Sequence, residues 1–192
     1  MRIHSQYIAG LVLAAGCGFA AHAAAQTSKQ SDWKTQVQKA LPLLGHRNWI
    51  LVVDSAYPLQ VSGGVETVET NANQLDVVKE VLRAVDNSIH VRPVVYMDAE
   101  LPFIPEKDAP GAEEYRRQIK EVLGQRAVHS IPHEELIHRV DEEGKTFHIL
   151  VLKTNLAIPY TSVFLQLNCK YWSDVAEARL RTAMKQTPTG QE

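Results

Sequence analysis

The chain has 192 residues, 45% of them hydrophobic and 22% charged, with a formal net charge of −2. This is the composition of a globular protein with one core, and the interspersed charges leave no basic cluster for nucleic acid. Cys17 and Cys169 are the only two cysteines, too few for a disulfide framework or a cysteine-based zinc site.

Residues 1–25 read as a Sec signal peptide. Arg2 supplies the positive start, residues 7–20 are apolar but too short and too rich in small residues for a membrane span, and Ala21–Ala25 offers a small-x-small cleavage site before Gln26. The alternative is a lipoprotein signal, in which Cys17 of "LAAGC" becomes the lipidated N-terminus. Both readings make the mature chain exported, to the periplasm or beyond, with no later stretch able to span a bilayer as a helix.

The first predicted helix is "SDWKTQVQKALPLLG", where Trp33, Val37, Leu41 and Leu44 share a face, Asp32 caps the start and Gly45 ends it unless Pro42 ends it earlier. "WILVV" follows, an apolar strand without alternation, as expected when both faces are buried. Residues 55–73 read as irregular, with a Gly63-Gly64 pair and many turn formers. From Asn73 a second helix places Leu75, Val78, Leu82 and Val85 on one face.

"IHVRPVVYM" is a strand whose Pro93 argues for an edge or a bulge. A proline-rich loop, "LPFIPEKDAPG", leads to a third helix with Tyr115, Ile119 and Val122 inward and Gly124 near its end. "AVHSI" is a short strand, and Pro132 opens the helix "PHEELIHRV" at its first position. "FHILVLKT" and "SVFLQLN" are strands joined by "NLAIPYT". A last helix starts behind Ser173, and residues 188–192 form a frayed tail. Strands alternating with helices predict one α/β domain over residues 26–187, with a largely parallel sheet.

Several polar residues stand out against this frame. Asp54 ends a buried strand, where open α/β sheets place ligands, although an aspartate there also caps turns. His46 follows the helix stop at Gly45 and could satisfy orphan helix carbonyls. His133 and His138 are five apart, about 140° around a helix, which rules out the shared face that an HExxH zinc motif needs. The Gly pair lacks both the GxGxxG spacing and the P-loop lysine, and no serine sits in a GxSxG elbow. Tyr160 and Ser162, in "IPYTS", offer a polar wall between two apolar strands.

Together these segments resemble the RbsD/FucU family of D-ribose pyranases and L-fucose mutarotases, over about Trp33 to Cys169. The shared features are Gly45-His46, an apolar strand, Asp54 eight residues after His46 and Pro58 beyond it, then "IPHEEL" and "PYTSVFLQL" in order. Asn48 stands where the family commonly has aspartate, and Ser162 where it has asparagine.

The resemblance implies a three-layer, Rossmann-like α/β/α subunit that assembles into a cyclic homo-oligomer. It implies sites at subunit interfaces, with the Tyr160 segment supplied by a neighbour. It also implies a monosaccharide ligand, His46 as general acid, and Asp54, His133, Tyr160 and Ser162 as substrate-binding residues. Opening and closing a hemiacetal requires no metal, nucleotide or other cofactor, and an imidazole with a pKa of about 6.5 suits it. Two alternatives remain open. One is an exported sugar-binding or scaffold protein that keeps the fold without catalysis. The other is an isomerase or lyase acting on another small hydroxylated compound.

Overall fold

Asp32 caps α1 (Trp33–Ala40), accepting from the Lys34 N–H. The computed structural model describes residues 32–186; the expected signal segment and the expected tail at 188–192 lie outside them. A single 3₁₀ turn, Leu41–Leu43, ends the first helix at Pro42. The remaining elements are β1 (Trp49–Val53), β2 (Val65–Glu69), α2 (Gln74–Asn87), β3 (Val91–Asp98), a second 3₁₀ turn (Leu101–Phe103), α3 (Ala112–Leu123), β4 (Val128–Ile131), α4 (His133–Glu143), β5 (Ile149–Lys153), β6 (Val163–Cys169) and α5 (Asp174–Gln186).

The six strands form one sheet in the order β2-β5-β1-β6-β3-β4. β1 runs parallel to β5, β5 to β2, and β3 to β4, while β6 is antiparallel to both β1 and β3. Five strands therefore point one way and β6 the other, so the α/β architecture with a largely parallel sheet holds. β1 sits between two partners, and all five of its side chains are at most 1% exposed. Ile50 and Val52 face α1, α2 and α3, while Trp49, Leu51 and Val53 face α4. This is the physical reason that "WILVV" carries no polar alternation.

Two local expectations change. The irregular stretch contains β2, an edge strand paired only with β5; its exposed glutamates hide a strand in a charged sequence. Gly64, just before it, is required by close approach: a Cβ there would lie 2.3 Å from the Gly144 carbonyl oxygen. Pro132 stands one residue before α4 instead of opening it, so His133 is the first helical residue.

Pro93 is not on an edge strand, because β3 lies between β6 and β4. It is nonetheless tolerated, because β4 pairs only with Val95–Asp98 and leaves residues 91–94 with β6 alone. Beyond the sheet, α5 exposes Val175, Leu180 and Met184. No helix among the described residues is long and apolar enough to cross a membrane.

Candidate functional site

The parallel strands end together, and β6 begins where they end. This edge collects Asp54 after β1, Asp98 at the end of β3, His133 after β4, Thr154 after β5, and Tyr160 to Ser162 before β6. It is the edge at which open α/β sheets bind ligands.

Asp54 does both things that its position allows. Its Oδ1 accepts the Ala56 N–H at 2.8 Å, which caps the turn, and its Oδ2 accepts from the Ser162 hydroxyl at 3.4 Å. Ser162 is 1% exposed, so the short side chain meets Asp54 inside the protein. Tyr160 holds a left-handed backbone at φ 57°, unusual for a bulky residue, and its ring meets the His133 ring edge-on, with centroids 5.4 Å apart. Such strain is found where a side chain must be aimed.

His133 is held at two further points. Its backbone N–H, an orphan donor at the start of α4, is taken by both oxygens of Glu100 at 3.0 and 3.1 Å. Its Nδ1 lies 3.0 Å from Asp98 Oδ1, whose side chain has no solvent exposure. Burial raises the Asp98 carboxyl to about 6; the His133 bond opposes the shift, and the Glu100 and Asp54 charges add to it. Burial likewise pushes the Tyr57 phenol upward, with the charges of Asp141, Asp98 and Asp54 adding.

Asp98 and Glu100 were missed in the sequence. The signal was there: "VVYMD" is an apolar strand ending in aspartate, the same pattern that singled out Asp54.

Beneath the edge runs a buried polar network. The Gln74 amide donates to the Tyr115 hydroxyl and to the Thr161 carbonyl, the Tyr115 hydroxyl donates to that same carbonyl, and Thr154 Oγ1 lies 3.0 Å from Gln74 Oε1. It ties α2 and α3 to the strand ends, fixing the loop that carries Tyr160. A cavity of about 420 Å³ lies on the other face of β3, floored by Met97, Leu101, Ile119 and Leu123. Arg116, Lys120, Arg126 and Ser130 also line it, as does Asp98, which ends β3 between this cavity and His133.

His46 is elsewhere. It precedes β1, so it lies at the opposite edge of the sheet, with its Nδ1 2.9 Å from Asn168 Oδ1 near the end of β6. It is exposed and does not cap α1; His90 does that, with Nε2 reaching the Leu41 and Leu44 carbonyls. Asn48 braces the same turn, accepting the Gly45 N–H at 2.7 Å and donating to the His148 carbonyl. Within one chain, then, Asp54, His133, Tyr160 and Ser162 share an edge and His46 does not, whereas the expectation was that the Tyr160 segment would reach the site from a neighbour.

No curated protein matches this sequence. Among solved structures, the chain is similar to RbsD of Bacillus subtilis complexed with D-ribose, at 18% identity and a TM-score of 0.50, covering 70% of this chain and 92% of that one. It is also similar to FucU of Bifidobacterium longum (18% identity, 70% and 94% coverage, TM-score 0.47). A third similar structure is the Streptococcus pneumoniae fucose mutarotase in complex with L-fucose (15% identity, 72% and 95% coverage, TM-score 0.47). At these identities the likeness to RbsD concerns the fold. The family model described as the RbsD / FucU transport protein family matches residues 29–169, most of the chain, and the protein belongs to that family.

Proposed function

We propose that the protein binds a monosaccharide and interconverts its cyclic forms by general acid–base catalysis. The observation that carries this reading is the His133 imidazole, held by the buried Asp98 and flanked by Tyr160, at the edge where Asp54 and Ser162 also sit. Family membership supports it, as does a fold shared with a protein solved with D-ribose.

Mutarotation removes the proton from the anomeric hydroxyl, gives one to the ring oxygen and breaks the bond between that oxygen and the anomeric carbon. Carboxylates accept strongly from sugar hydroxyls, which suits Asp54, and the face of an aromatic ring suits the sugar's apolar C–H face, which suits Tyr160. Positioned proton transfer contributes ~10²–10⁴ in rate.

His46 serves as general acid in this reading. Since it lies at the far edge of its own chain, it reaches the sugar only from a neighbouring copy. The site is therefore completed at an interface in a cyclic homo-oligomer. The test is saturation-transfer NMR of anomer exchange across pentoses, hexoses and deoxyhexoses. The wild type accelerates exchange of at least one sugar, and His46→Ala abolishes that acceleration with an unchanged circular dichroism spectrum. Unchanged exchange in the variant overturns the role of His46.

The separation of His46 from the other residues also favours a second reading. A chain that does not assemble would hold a sugar at Asp54, His133 and Tyr160 without the acid. That form binds sugar in calorimetry and leaves exchange at the uncatalysed rate.

A further inference from the structure

Mutarotation needs two proton movements, and a single acid at His46 supplies one. We propose that His133 is the second proton-transfer group of the sugar site, and that Asp98 is the positioning residue that turns its Nε2 toward the sugar. The proposal rests on the mutarotase reading and deepens it.

The geometry leaves the ring little choice. Nδ1 lies 3.0 Å from Asp98 Oδ1, and the Asp98 side chain is fully buried. The backbone N–H of His133 is pinned by Glu100, and the Tyr160 ring closes in edge-on. The His133 side chain is still 29% exposed, so the unengaged Nε2 edge is the part that meets solvent or ligand. A carboxylate that accepts the Nδ1 proton fixes the tautomer in which Nε2 carries a lone pair. Among the described residues, His133 alone joins its ring to a fully buried carboxylate. His46 meets an amide, His90 meets carbonyls, and His148 meets an exposed Glu66 at 3.5 Å.

The charged groups around Asp98 besides His133 are Glu100 and Asp54.

Nε2 of His133 takes the proton from the anomeric hydroxyl. A C=O bond forms at the anomeric carbon as its bond to the ring oxygen breaks. The electron pair leaves on the ring oxygen, which takes a proton from His46 of the neighbouring copy. Rotation of the aldehyde and closure on its other face reverse both transfers and restore both histidines.

The experiment uses the ¹⁵N-labelled full assembly. Imidazole ¹⁵N shifts in the wild type show His133 protonated at Nδ1, and Asp98→Ala moves the population toward the Nε2–H tautomer. Catalysed exchange falls ~10²-fold in Asp98→Ala and in His133→Ala, while sugar affinity in Asp98→Ala changes less than about threefold. The near-isosteric Asp98→Asn keeps the packing and loses most of the rate, which separates positioning from folding.

An Nε2–H tautomer in the wild type, or full exchange in Asp98→Asn, overturns the proposal. If the wild type catalyses no exchange, the mutarotase reading falls and the proton-transfer role with it. The tautomer measurement still reads the Asp98–His133 pair on its own.

Discussion

His46 and Asp54 flank the same five-residue strand and therefore face opposite edges of the sheet. A strand of that length spans ~17 Å at about 3.3 Å per residue, well beyond the reach of one monosaccharide. A site that uses both residues draws them from two copies.

This separation predicts intersubunit complementation. His46→Ala and Asp54→Asn are each expected to be inactive as pure assemblies. Dissociated, mixed and reassembled, they recover up to about a quarter of wild-type exchange, the share of interfaces that pairs an intact His46 with an intact Asp54 in a closed ring. Recovery is read by saturation-transfer NMR. Its absence in a demonstrably mixed assembly would mean that one chain supplies the whole site.

Asp98 makes stability depend on pH. Its carboxyl is raised to about 6 in the folded protein from an ordinary 3.8. Its stabilising contribution is therefore full below about pH 4 and is lost as pH rises through 6. The loss amounts to about 3 kcal/mol for a shift of this size. Asp98→Asn removes the titration, so its stability relative to wild type should climb between pH 4 and pH 6 and level off above 7. Urea midpoints at four pH values check this, and a flat difference would show that the buried charge has no such cost.

Tyr160 separates function from stability. Its φ of 57° is costly for a tyrosine and free for glycine. Tyr160→Gly is expected to hold or raise the melting temperature while weakening sugar binding by about tenfold or more, through loss of the ring beside His133. Calorimetric titration beside a thermal scan measures both. Intact affinity in Tyr160→Gly would remove the ring from the site.

The Gln74 network is expected to work through stability. Gln74→Leu leaves the buried Thr154 hydroxyl without its side-chain partner and strips a donor from the Thr161 carbonyl. The expected loss is about 1–3 kcal/mol in urea denaturation, with any effect on sugar binding arising from the loop that carries Tyr160. A neutral substitution would mean that the network relaxes at no cost.

Local chemistry alone identified most of the elements. The unbroken "WILVV" announced a strand buried on both faces, and Leu75, Val78, Leu82 and Val85 on one face announced α2. It failed at β2, because "VETVE" carries exposed charges that suit an edge strand and resemble a loop.

What a linear sequence cannot express is which strand ends meet. The reversal of β6 between β1 and β3 brings Ser162 to Asp54 and Tyr160 to His133, across more than a hundred residues in the first pair. Burial of Asp98 against His133 depends on that packing, and a local pattern does not report desolvation. The sequence by itself determined that His46, Asp54, His133 and Tyr160 are present with their spacing. Tertiary structure alone decided that three of them share an edge and that His46 faces away, because a strand carries its two ends to opposite sides of the sheet.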